Sequence, residues 1–140
     1  MDTLSQTTAE DRVLISDLIA RVALFADTAL LDDYATLFTD NAVWDLRGAP
    51  SIEGLDAIVS AAYERRAQKI TGPESDTRHV VLSSVIDRTQ DGAKAVSVFH
   101  FYTDFSQSPK LYAMGVYNDQ FEFDDGRWRL SRRVIDFTLV

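Results

Sequence analysis

Asp27 interrupts an otherwise nearly apolar stretch, between Val22-Ala23-Leu24-Phe25-Ala26 and Thr28-Ala29-Leu30-Leu31. A carboxylate in such a run needs a reason. Near the carboxyl end of a helix it faces the negative end of the backbone dipole, and burial also disfavours its charge, which suits it to general acid–base work. The structural alternative is an Asp that ends the helix or accepts from a nearby amide. His79 alternates with Val81, Ser83 and Val85 on a semi-polar strand face, against Val80, Leu82 and Ile86 on an apolar one. An imidazole titrates near neutrality and both gives and takes protons, so it pairs naturally with a carboxylate. A satisfied histidine at a strand end is its plain alternative. His100, opposite in parity to Phe99 and Phe101, is an alternative acid or base. Trp44, Phe99, Phe101 and Tyr117 could wall a ring-shaped ligand, although core packing explains each aromatic equally well.

Other chemistries find little support. With no cysteine in 140 residues there is no disulfide framework, thiolate metal site or cysteine nucleophile. The two histidines fit no standard metal spacing, and no G-x-G-x-x-G, P-loop or G-x-S-x-G string occurs, so neither a metal nor a cofactor is expected. A net charge of −8, from 22 acidic and 14 basic residues, argues against nucleic acid or an anionic membrane as partner. The first eight residues lack the basic start and apolar core of a signal peptide, and no apolar run reaches membrane-spanning length, so a cytoplasmic location is expected.

The elements that must position these residues can be read from periodicity. Thr7-Thr8-Ala9-Glu10 reads as a capping box opening a helix through about Ala29, with Leu14, Leu18, Val22 and Phe25, flanked by Ile15 and Ile19, as its apolar face. Asp32 and Asp33 look like the cap of a short helix over 34–38, and 42–46 begins the first strand. Spacing over 51–69 is helical, with Leu55, Ile58, Val59 and Ala62 inward and Glu64, Arg65, Arg66 and Lys69 solvated. The period then becomes two over 79–87, 94–105, 110–123 and 127–140, with Asp91-Gly92 and Asp125-Gly126 at hairpin turns that need positive φ. Arg127, Arg129, Arg132 and Arg133 read as a solvated face of the last strand, with a clamp on a substrate carboxylate as the alternative. Helices first and strands second predict an α+β fold, one domain over 1–140, with helices across a curved antiparallel sheet.

Several strings resemble the SnoaL-like family of the nuclear transport factor 2-like superfamily, which also holds scytalone dehydratase and ketosteroid isomerase. They are Asp27, Leu37-Phe38-Thr39-Asp40-Asn41-Ala42-Val43-Trp44, Gly54, Arg78-His79, Gly115-Val116-Tyr117-Asn118-Asp119 and Asp125-Gly126-Arg127-Trp128. The resemblance implies a cone-shaped α+β barrel whose curved mixed or antiparallel sheet wraps a long N-terminal helix and two further helices. Asp27 and His79 match the positions of the Asp and His used by scytalone dehydratase-like members. Ala26 and Leu46 stand where the dehydratase has tyrosines, and Phe101, Thr103 and Phe105 do not supply its second histidine. That departure implies a more apolar substrate or a different elimination or isomerisation. The family implies a cofactor-independent lyase or isomerase on a small cyclic, aromatic, terpenoid or polyketide-like molecule, in a dimer or trimer. The alternatives are a noncatalytic ligand-binding module, or a structural subunit resembling the small chain of ring-hydroxylating oxygenases.

Overall fold

In a computed structural model, which describes residues 8–140, the first helix α1 spans Ala9–Thr28 and is capped by Thr8, whose hydroxyl accepts from the Asp11 amide at 3.0 Å. The cap expected at Thr7 lies outside the described residues. The buried stripe of α1 is Ile15, Leu18, Ile19, Val22, Ala23 and Asp27, so Asp27 continues the i, i+4 row of Ile15, Ile19 and Ala23. Leu14, expected on that face, is exposed. Next comes α2, Leu31–Ala35, where Asp32 and Asp33 occupy the first turn rather than the cap. There they favour the positive end of the helix dipole. Strand β1, Phe38–Leu46, starts four residues earlier than expected, and a two-residue strand β2, Ile52–Glu53, pairs with it before α3, Leu55–Ala67. Four long strands follow: β3 Arg78–Arg88, β4 Ala93–Thr103, β5 Lys110–Asp124 and β6 Arg127–Leu139.

The strands form one sheet in the order β2-β1-β6-β5-β4-β3. Every pair is antiparallel except β1 and β6, which run parallel. The α+β class and the curved mixed sheet with three helices are as expected, but the sheet is open: β2 and β3 are its edges, and among the described residues no barrel closes. α1 lies mainly across β3, and the core joins Ile15, Ile19 and Val22 to Phe38, Ile58, Phe121 and Leu130. Among the described residues no helix is long and apolar enough to cross a membrane.

Two register shifts decide which side chains face the helices. Val81 lies opposite Phe99 but Ser83 lies opposite Val98, which leaves Leu82 as an extra residue. An extra residue reverses the alternation. The inner face that begins with His79 and Val81 therefore continues through Ser84 and Ile86, whereas Leu82 and Val85 are exposed, correcting the simple alternation read from the sequence. On β6 the pairing steps from Gln120–Arg132 to Phe121–Leu130, leaving Ser131 extra. Trp128 and Leu130 are buried before the shift; Arg133 and Ile135 are buried after it.

The hairpin turns also differ in their reasons. Asp125 and Gly126 both have positive φ, 51° and 81°, as a tight turn between twisted strands requires. Gly92 does not. Its constraint is space, since a Cβ there would lie 2.1 Å from the Phe121 carbonyl oxygen.

Candidate active site

Asp27 is the penultimate residue of α1 and is 1% exposed. Its Oδ2 accepts the backbone N–H of His79 at 2.8 Å, and its Oδ1 lies 2.8 Å from His79 Nδ1. One residue thus occupies both carboxylate oxygens. A carboxylate only accepts, so the geometry makes Nδ1 the donor to Asp27, and in the neutral imidazole that tautomer leaves the Nε2 lone pair toward the cavity. The imidazole is further fixed against the Phe101 ring, with centroids 4.6 Å apart. His79 starts β3 and Asp27 ends α1, so the packing of α1 across β3 is what brings them together.

A clamp holds the end of α1 in place. No basic residue sits in its last turn, and Arg66 of α3 supplies the missing donors. Its guanidinium donates to the carbonyls of Ala29 at 2.7 Å, Phe25 at 3.0 Å and Ala26 at 3.1 Å. The Ala26 and Ala29 carbonyls are acceptors left open at the helix end, and the Phe25 carbonyl, which already accepts the Ala29 N–H at 3.1 Å, takes a second bond. Gly72 makes room: a Cβ there would come within 2.6 Å of Arg66 Cγ, and its φ of +99° favours glycine as well. Arg66 was expected on a solvated face; the need to close α1 turns it inward.

A mostly apolar cavity of about 260 Å³ opens between the helices and the inner sheet face. His79 lines it, and so do all four expected wall residues, Trp44, Phe99, Phe101 and Tyr117. Asp27 stands behind His79 rather than at the wall. His100 is not part of it. It pairs across the sheet with Val80 and Met114 on the outer face, and its Nδ1 lies 3.0 Å from the Tyr102 hydroxyl. The expected alternative acid or base is therefore on the wrong side of the sheet for this cavity.

Other polar groups at the wall include Tyr34 and Arg65, which sequence reasoning missed, and Arg133, which it offered a ligand role only as the alternative to a solvated face. Arg133 was expected in solvent. Instead it is 2% exposed and forms a two-point pair with buried Asp119, Nε to Oδ1 at 2.8 Å and Nη2 to Oδ2 at 2.9 Å. Its guanidinium lies 3.7 Å from the centroid of the Tyr117 ring, which stacks on Phe99 at 4.1 Å. Burial alone would depress the Arg133 pKa, but the Asp119 charge and hydrogen bonds outweigh it and raise the pKa above the ordinary value. Burial pushes the phenols of Tyr117 and Tyr34 up. A signal for the ion pair existed in the sequence: Asp119 is in phase with Tyr117 and Phe121, and a carboxylate on an apolar face calls for a cation. The Ser131 bulge that delivers that cation left no such mark.

Comparison with known proteins gives a family and a fold. The SnoaL-like domain matches residues 7–134. No curated protein matches the sequence. A Nostoc punctiforme protein of unknown function with a cystatin-like fold superposes with a TM-score of 0.81 at 19% identity, over 95% of each chain. A Novosphingobium aromaticivorans protein provisionally assigned as a scytalone dehydratase superposes with a TM-score of 0.74 at 20% identity, over 92% of this chain and 85% of that one. The beta subunit of a provisionally assigned aromatic-ring-hydroxylating dioxygenase from the same organism gives 0.73 at 20% identity, over 91% and 89%. At such identities the likeness is one of fold, and fold alone does not fix a reaction.

Proposed function

The chain belongs to the SnoaL-like family, and from its fold and cavity we propose that it is a cofactor-independent acid–base enzyme, a dehydratase-like lyase or an isomerase, acting on a small cyclic organic molecule. The observation that carries this reading is the double hold of buried Asp27 on His79, with the imidazole at the wall of an apolar cavity. Asp27 is the positioning residue and His79 the catalytic one. Nε2 of His79 takes a proton from an activated carbon, and the C–H electron pair becomes a carbon–carbon double bond. The imidazolium formed, stabilised by Asp27, returns the proton to a departing hydroxyl, which leaves as water, or to a second carbon. In the elimination the C–O bond breaks and its electron pair leaves with the oxygen; in the isomerisation no bond to oxygen breaks, and the π pair of a neighbouring double bond takes the proton at the second carbon. Trp44, Phe99, Phe101 and Tyr117 hold the ring and keep bulk water from the base.

The test is incubation with ring alcohols and ketones in D2O, reading loss of water or carbon-bound deuterium by mass spectrometry. Turnover that disappears in His79→Gln supports the proposal. Turnover with an unchanged pH profile after replacement of both Asp27 and His79 overturns it. The dioxygenase beta-subunit neighbour supports a second reading, a noncatalytic partner of a larger chain. Co-purification with such a chain, together with no turnover of any ring compound, would favour it.

A further inference from the structure

Tyr34 is 1% exposed, and its hydroxyl is buried without a hydrogen-bond partner among the described residues. A phenol in that position loses its hydration and regains nothing from the fold. The same residue lines the cavity that His79 and Arg133 line. Arg133 is immobilised by Asp119 on one edge and by the Tyr117 ring on its face, and only Nε and Nη2 are committed to Asp119. Its remaining N–H groups meet no protein acceptor among the described residues. A guanidinium fixed in this way presents donors without needing to reorganise.

We propose that the Tyr34 hydroxyl and the free edge of Arg133 form an oxygen-binding subsite that selects ligands carrying a carbonyl group. The subsite belongs to the cavity assigned above and rests on that cavity being a ligand site; it does not rest on turnover. A neutral carbonyl fits better than a carboxylate, because Asp119 already balances Arg133 and the Asp27 carboxylate stands behind His79. The subsite also complements the base. When His79 removes a proton from the carbon beside the carbonyl, the C–H pair moves into the carbon–carbon bond and the carbonyl π pair moves onto oxygen. Tyr34 and Arg133 then hold the developing enolate charge.

The experiment compares 2-tetralone with tetralin, a hydrocarbon of matching shape, and with 2-naphthoate, by chemical-shift titration of wild type and Tyr34→Phe. The substitution removes only an unpartnered hydroxyl, so the melting temperature should stay level or rise. Affinity for 2-tetralone should fall about tenfold while that for tetralin stays unchanged. Four outcomes overturn the subsite: equal loss for ketone and hydrocarbon, no loss for either, a lowered melting temperature, or a wild type that binds the ketone no better than tetralin. Tighter binding of 2-naphthoate than of 2-tetralone overturns the carbonyl assignment and moves the polar anchor to Arg65. Ketone binding through Tyr34 without any turnover sinks the acid–base reading alone, whereas His79-dependent turnover with Tyr34-independent ketone binding sinks the subsite alone.

Discussion

Asp27 holds His79 at two points, 2.8 Å from its backbone nitrogen and 2.8 Å from Nδ1, so one carboxylate fixes both the strand end and the ring it carries. Asp27→Asn separates these two roles. The carboxamide oxygen can still accept the backbone N–H, while the NH2 group now faces Nδ1 and drives the ring proton to Nε2. The imidazole then presents a donor to the cavity where it had presented an acceptor. Turnover should fall by roughly 10²–10⁴ with the fold retained. Nitrogen NMR of the imidazole checks the cause without a substrate: Nδ1 protonated in wild type, Nε2 in the variant. A wild-type ring already protonated on Nε2 would falsify the assignment.

Asp119 and Arg133 form the other buried pair, and breaking it from one side leaves a charge with no counterpart. Asp119→Ala should cost about 3–5 kcal/mol of folding stability. Replacing both partners by apolar residues of similar volume, Asp119→Leu with Arg133→Met, should recover most of that loss in urea denaturation. Arg132→Ala supplies the contrast. Its pair with Asp45 is half exposed at 47% for the Arg side chain, and its removal should cost about 0–1 kcal/mol. Equal losses at Asp119 and Arg132 would mean that burial does not set the energetics of this strand.

The fold was largely legible because long elements repeat their signals. Ile15, Ile19, Ala23 and Asp27 share one helical row, and Asp27 stands out against its apolar neighbours. The two members of the candidate dyad and the four wall aromatics could be picked out for that reason, helped by the family resemblance. What alternation could not carry was any residue beyond a bulge. Leu82 and Ser131 each add one position to a strand, and every side chain after them changes face. The misplacement of Arg133, and of Ser83 and Val85, follows directly. Arg66 was misplaced for another reason: a helix end without its own basic residue draws a cation from elsewhere, and nothing local in 55–67 announces that demand.

Arg66 makes a prediction about precision as much as stability. Arg66→Met keeps the bulk of the side chain stem and removes the donors to Phe25, Ala26 and Ala29. The cost should be about 1–3 kcal/mol, since half-buried carbonyls lose charged donors. Hydrogen exchange should accelerate over the last turn of α1, and the His79 amide, bonded to Asp27, should lose protection with it. Arg21→Ala removes only an exposed pair with Asp17 and should do neither, staying within about 0.5 kcal/mol. Protection of His79 that survives Arg66→Met would show that Asp27 does not depend on the clamp.

Alkaline pH tests the two cavity phenols. Burial raises the pKa of both Tyr34 and Tyr117 above the ordinary value of 10.0, so each is held neutral in the folded chain and ionises more readily once unfolded. For a group whose folded pKa exceeds its unfolded one, the stabilisation is complete below the unfolded value and is lost as pH rises toward the folded one. The loss therefore begins near pH 10 and steepens above it, at up to about 1.4 kcal/mol per pH unit for each phenol. Denaturation midpoints in urea, measured from pH 9 upward, should fall more steeply in wild type than in a Tyr34→Phe, Tyr117→Phe double variant. Phenolate absorbance from these two residues should appear together with unfolding rather than before it. Parallel pH profiles for the two proteins would show that the phenols reach solvent in the folded state, and the burial assigned to Tyr34 and Tyr117 would go with them.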